Sequence, residues 1–192
     1  MTLSLPVGDD ANALLSRSPL ALLIGMLLDQ QVTIEKAFSS PAVLAGRLGR
    51  EPDAGELAGY DPQALAAVFA QRPALHRYPR AMAGRVQDLC RVIADRYDGD
   101  AGQIWSGART GAELLGRVAG LPGFGVQKAQ IFVALLGKQL GVRPRGWRRA
   151  AGPFGDRAAC RSVADIVDAD SLARVRAYKQ AVKAAARTGG RP

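Results

Sequence analysis

The sequence predicts an all-α protein, on three observations. Apolar residues recur at steps of three and four along several stretches, the period of one helix face. Ser-Pro and Asp-Pro pairs stand just ahead of several of them, where a side-chain oxygen caps the first turn and proline is tolerated. No stretch alternates polar and apolar residues convincingly enough to suggest a strand.

Taken in order, Ser18-Pro19 opens a helix over residues 20–28. Ser40-Pro41 repeats the signal ahead of 42–48, which Gly49 closes, and Asp61-Pro62 repeats it ahead of 64–69. From Arg80, the residues Met82, Val86, Leu89, Ile93 and Tyr97 form one face of a long helix that ends at Gly99. Leu114, Leu115 and Val118 mark a helix that breaks at Gly120. Ile131, Phe132, Leu135, Leu136 and Leu140 mark another after Gly125. The last predicted helix starts at Ser171. Leu172, Val175, Tyr178 and Val182 share one face, and Arg174, Arg176, Lys179, Lys183 and Arg187 lie largely off it. Segment 141–170, rich in Gly, Pro and Arg, has no assignable element. A loop of that length is usually functional or disordered, and Trp147 and Phe154 favour an ordered, packed one.

The 192 residues carry a net charge of +9, and the excess is localised. Residues 1–137 hold thirteen basic and thirteen acidic side chains, whereas 138–192 hold thirteen basic and four acidic ones. A neutral body with a basic end suits a polyanionic partner, although a solvated basic tail would give the same count. A hydrophobic content of 48% excludes a disordered chain. The longest apolar run, 20–28, is too short to span a bilayer, and it lacks a basic leader and a cleavage site. The expectation is one helical domain over 1–192: a core at 18–140, a basic loop at 141–170 and a basic helix at 171–187. It is expected to be a monomer without membrane attachment, cytoplasmic and associated with the nucleoid, with Cys90 and Cys160 reduced. One histidine and two cysteines cannot build a zinc site or a four-cysteine iron–sulfur cluster, so no metal or cofactor is expected.

Leu121-Pro122-Gly123-Phe124-Gly125 lies between two predicted helices and leads into Val126-Gln127-Lys128-Ala129. Two glycines one residue apart permit a tight turn and leave successive backbone amides uncovered by side chains. Those amides stand at the positive end of the next helix, so the turn can dock one phosphate. Lys128, in the first turn, can add a charge contact. An ordinary helical corner with a glycine cap would use the same residues.

This turn resembles the hairpin of the helix-hairpin-helix (HhH-GPD) DNA glycosylase superfamily, of the endonuclease III type. The run Leu23-Ile24-Gly25-Met26-Leu27-Leu28-Asp29-Gln30-Gln31-Val32-Thr33 is similar to that family's early helix, which ends in a glutamine-containing turn. The long helix with Tyr78, Ala83, Leu89, Cys90 and Arg91 resembles the one before the hairpin, and order and spacing agree over 19–140. An actinobacterial-type branch without the iron–sulfur cluster also shares the Leu-Leu-Asp-Gln-Gln run and the segment 136–144. The resemblance implies a base-excision repair activity on double-stranded DNA: hydrolysis of the bond between a damaged base and its deoxyribose, after the base leaves the stack. It places Leu121, Gly123, Gly125, Gln127 and Lys128 in the DNA-binding hairpin. It also places Gln31 at the gap-filling position, with Gln30 beside it. A compact amide suits that role because it donates to and accepts from the orphaned partner base. A water-exposed polar helix end would equally account for the two glutamines.

Two departures matter. Strand-cleaving members of the family carry a lysine two positions after the second hairpin glycine; here that position is Gln127. Lys128, one residue on, points about 100° away around the helix, so no Schiff-base lyase activity is expected. The family's catalytic aspartate would fall within 141–149, which contains no acid but does contain Arg143, Arg145, Arg148 and Arg149. The carboxylates left as candidates are Asp29 first, beside the glutamines, then Asp165 and Asp156, both of which need a returning loop. Asp168 and Asp170 suit caps of the last helix. The four arginines are the expected further phosphate contacts, and Trp147 either stacks on a base or seals the loop. Trp105 suits the core, and His76, the one histidine, suits a structural role or an acid–base one.

A monofunctional glycosylase is therefore the leading expectation. A catalytically inactive lesion sensor of the same fold is the alternative, motivated by the missing aspartate. A helical protein-interaction module comes third.

Overall fold

A computed structural model describes residues 3–188, with side chains to 186, and it is all-α. Met1, Thr2 and 189–192 lie outside the described residues, as does the side chain of Arg187. The helices are α1 (Asp9–Arg17), α2 (Pro19–Leu28), α3 (Ile34–Leu48), α4 (Ala54–Gly59), α5 (Pro62–Ala70), α6 (Pro79–Tyr97), α7 (Gln103–Ser106), α8 (Gly111–Ala119), α9 (Val126–Gln139), α10 (Trp147–Ala150) and α11 (Ala169–Thr188). No strand forms among the described residues, only an isolated bridge between Thr110 and Arg145. No single helix among them is long and apolar enough to cross a membrane.

Local caps set most starts. Ser18 Oγ accepts from Ala21 N, Asp61 Oδ1 from Ala64 N, and Asp168 Oδ1 from Ser171 N, where the sequence signals stood. Ser40-Pro41 does not begin a helix. α3 is capped by Thr33, whose Oγ1 accepts from Lys36 N, and it runs through Pro41 to Gly49. The proline costs one intrahelical bond, but Ala37, Phe38, Ser40, Pro41 and Leu44 bury one face, and that packing holds the helix together. Ser40 Oγ lies within hydrogen-bond reach of Lys36 O and Leu75 O, which share its one proton, so it serves as a tertiary link instead of a cap.

α2 is buried on every side, the mark of a central core helix. It packs on α1, α3 and α6; α4 and α5 cover the other side of α6. The core also extends beyond 18–140: Leu3, Leu5, Leu14 and Leu15 join it from the N-terminal side, and Trp147, Phe154, Val163, Ile166, Leu172 and Val175 from the C-terminal side. Segment 141–170 is therefore packed structure, comprising α10 and 3₁₀ turns at Gly152–Phe154 and Val163–Asp165. Gln139 Nε2 ties it to α9, its two N–H groups shared among the carbonyls of Val163, Ala164 and Ile166. Trp147 lies flat against α9 at Gly137, so it seals the loop and is not available to stack on a base. On α11 only the first part of the apolar face is covered; Tyr178 and Val182 are exposed.

The Trp147 seal gives a stability prediction. A Cβ at Gly137 would fall inside the buried indole ring, so Gly137→Ala should cost about 1–3 kcal/mol. Gly116, in α8, has open space around it, and Gly116→Ala should gain up to about 1 kcal/mol. Denaturant unfolding of both variants checks this; an unchanged midpoint for Gly137→Ala contradicts it.

Candidate nucleic-acid interface

A helix leaves its last carbonyls without intrahelical partners. At the end of α2 they are met by Lys128, from the first turn of α9, whose Nζ donates to Met26 O and Leu27 O at 3.0 Å each. Gln30 Nε2 adds a third bond, to Leu27 O at 2.8 Å. A cation at this end also opposes the negative pole of the helix dipole. The second contact is steric. Gly123 has φ +80°, and a Cβ there would fall inside the Leu27 side chain. The glycine turn between α8 and α9 thus seats on the end of α2, joining two motifs that lie about a hundred positions apart in the chain.

The turn leaves the start of α9 open. Gly125 is the N-cap and supplies no side chain, whereas α2, α3, α4, α5 and α8 are each capped by a Ser, Thr or Asp oxygen. Nothing lies within 4 Å of a Cβ built on Gly125, Gln127 is exposed, and Val126 is 64% exposed. The first-turn amides of α9 therefore stand at a positive helix end with room for an anion. Lys128 is not turned toward that anion. It is half-buried and committed to the α2 carbonyls, which corrects its expected role as a phosphate contact. Leu121 is a core residue and offers DNA no side chain.

Beside the turn, 29–33 links α2 to α3. Gln30 is anchored within the protein: Arg85 Nη1 donates to its Oε1 at 2.8 Å, and its Nε2 is bound to Leu27. His76 is 2% exposed; its Nδ1 accepts from Tyr78 N at 3.0 Å, so the tautomer that fits has Nε2 donating to Gln30 O at 2.8 Å. That network makes His76 structural. Gln31 is different: it is exposed, with φ +57°, a conformation that costs a non-glycine residue on the order of 1 kcal/mol. Only the Tyr78 hydroxyl reaches its side chain, donating to Oε1 at 3.4 Å. Of the two glutamines, Gln31 is the free one.

Asp29 is the C-cap of α2, half-buried, and its carboxylate makes no hydrogen bond or ion pair among the described residues. Burial holds its pKa above the ordinary carboxylate value, against the opposing pull of Lys179 from α11 and of Lys128. Burial likewise lowers the Lys128 pKa, which Asp29 opposes and Arg85 reinforces. An ion pair between Arg176 and Glu35 ties α11 to α3 on this side.

The other carboxylate candidates are not brought to this place. Asp165 is paired with Lys138, ten residues or about 15 Å along α9 from Lys128. Its side chain is 3% exposed, and Oδ2 accepts from Arg161 N and Ser162 N in a capping box. That is a structural assignment. Asp156 is exposed and accepts from Ala158 N in its own turn. The arginines at 143–149 surround α10, which packs by Gly111 and Gly137, at the end of the α8–α9 pair away from the glycine turn. They are exposed; Arg143 Nε donates to Gly137 O, and Arg148 lies 4.6 Å over the Trp147 ring. The residues that sequence reasoning missed are Arg85 and Lys179, each an unremarkable cation on a helical stretch with no local signal. No three His, Cys, Asp or Glu side chains converge as a metal-binding group among the described residues.

The strained state of Asp29 has a testable sign. A carboxyl whose folded pKa is raised contributes stability below its unfolded pKa, and that contribution is lost as pH rises through the folded value. Asp29→Asn does not titrate there, so its advantage over wild type should open above about pH 4 and persist at pH 7. Urea unfolding of both proteins from pH 4 to 7 measures it; an Asp29→Asn protein no more stable than wild type at pH 7 contradicts it.

No protein-family model, curated protein or solved structure matches this chain, so the reading of the site rests on its geometry and its sequence.

Proposed function

We propose that the protein is a monofunctional DNA glycosylase of the helix-hairpin-helix type, acting in the nucleoid on a modified base in duplex DNA. The observation that carries this reading is the seating of the glycine turn on the end of α2. It sets an open helix N-terminus, an exposed glutamine and an unpartnered carboxylate side by side. In this scheme the first-turn amides of α9 hold one backbone phosphate. Gln31 fills the gap left by the flipped base and bonds its orphaned partner.

Asp29 supplies the chemistry. As the bond from C1′ to the base nitrogen breaks, its electron pair leaves with the base, and the sugar gains positive charge that the carboxylate stabilises. A water oxygen then bonds to C1′ and gives its proton to Asp29. Lys128 keeps its bonds to α2 and is not a nucleophile, and Gln127 cannot be one, so the strand stays intact.

A lesion sensor without catalysis is favoured by one fact, that 141–149 carries arginines and no acid. Duplexes bearing uracil, hypoxanthine, oxidised guanine or an alkylated base separate the two readings. The enzyme should release a free base from one of them, and Asp29→Asn should slow release at least a hundredfold with no strand cleavage by either protein. Tight, salt-sensitive binding with no release across the panel supports the sensor instead. The phosphate dock has its own test, because Gly125 has φ −72° and an open Cβ position. Gly125→Val should fold normally and weaken duplex binding about tenfold, roughly 1.4 kcal/mol. Unchanged affinity would count against the dock.

A further inference from the structure

Away from the glycine turn, a cleft of about 470 Å³ opens between the C-terminal end of α9, α10, the 155–160 segment and the start of α11. Five cations line it, Lys138, Arg143, Arg148, Arg157 and Arg174, against the single carboxylate of Asp165. That carboxylate is already spent on Lys138 and on two backbone amides. Two of the arginines are held in place: Arg143 through its Nε bond to Gly137 O, and Arg148 by stacking on Trp147. Arg157 and Arg174 make no hydrogen bond or ion pair among the described residues, although the Asp168 carboxylate lies near enough to feel the charge of Arg174.

Like charges gathered in a concavity repel one another, and their fields add within it. A bound anion relieves that repulsion, and guanidinium forks match phosphate oxygens two at a time. The one buried side-chain polar atom without a partner among the described residues is Gln139 Oε1, and Gln139 lines this cleft. Its orientation is fixed, since Nε2 faces three carbonyls, which its two N–H groups share, and only the nitrogen can donate. The cluster of cations calls for a ligand that carries negative charge.

We infer that this cleft is a second binding site, for a compact polyanion with two or more linked phosphates. The volume suits such a molecule. The inference does not depend on glycosylase activity, because none of its observations involves Asp29, Gln31 or the glycine turn.

Cys160 gives a direct readout. It lines the cleft and is partly exposed, whereas Cys90, the other cysteine, is buried with its thiol pKa pushed up to about 12. The rate of Cys160 alkylation in the full-length protein is measured at low ionic strength with ATP, with tripolyphosphate and with an undamaged 20-base-pair duplex. ATP and tripolyphosphate should each slow alkylation at least fivefold. Arg157→Gln combined with Arg174→Gln, both changes at exposed positions, should abolish the protection while leaving the thermal midpoint unchanged. Protection that survives the double substitution, or no protection by either small ligand, overturns the proposal. Protection by the duplex alone also overturns it and assigns the cleft to the DNA backbone. Base release from a damaged duplex is a separate assay, so the failure of one reading does not decide the other.

Discussion

Two hydrogen bonds from one ammonium group organise the face that matters. Lys128 Nζ closes the end of α2 by binding Met26 O and Leu27 O, and it reaches them from the first turn of α9. Without that link the glycine turn and the glutamine turn would be neighbours only by packing. With it, the start of α9 is fixed against the end of α2. Leu27 then fills the space that the missing side chain of Gly123 leaves. The lysine's cost is visible in its lowered pKa, and the nearby Asp29 partly offsets it.

Burial at the same helix end accounts for the state of Asp29. The carboxylate follows a buried helix, is itself half-buried, and finds no hydrogen-bond donor among the described residues. Lys128 and Lys179 help it, but not enough to restore an ordinary pKa. A group kept in such a position weakens the fold at neutral pH, and functional sites are where proteins tolerate that. Gln31, held at positive φ next to it, is a second local cost at the same place.

How much of this was legible in the sequence depended on the range of the forces involved. Ser18, Asp61 and Asp168 could be read because a cap bonds an amide two or three residues away. Ser40-Pro41 carries the same local signal, yet α3 runs through it, because the buried face of that helix is a tertiary matter. Nothing local announces α1, whose N-cap is Gly8 with no side-chain bond. The glycine turn and Gln31 were legible as motifs, and Asp29 as a carboxylate out of place. The inward turn of Lys128, the anchoring of Gln30 by Arg85 and the pairing of Asp165 with Lys138 were not, since each joins segments well separated in the chain. The basic excess after residue 137 does not act as one surface. Lys179 serves Asp29, and Arg143, Arg148, Arg157 and Arg174 ring the separate cleft.

The central claim is that the glycine turn and the 29–31 segment form one DNA-binding surface. The most direct test is amide and side-chain NMR of the labelled protein titrated with a duplex carrying an abasic-site analogue. The largest shifts should fall together on Gly123, Gly125, Val126 and Gln127 and on Asp29 and Gln31, including the Gln31 side-chain amide. Shifts centred on Arg157 and Arg174, with Gly125 and Gln31 unmoved, would contradict it.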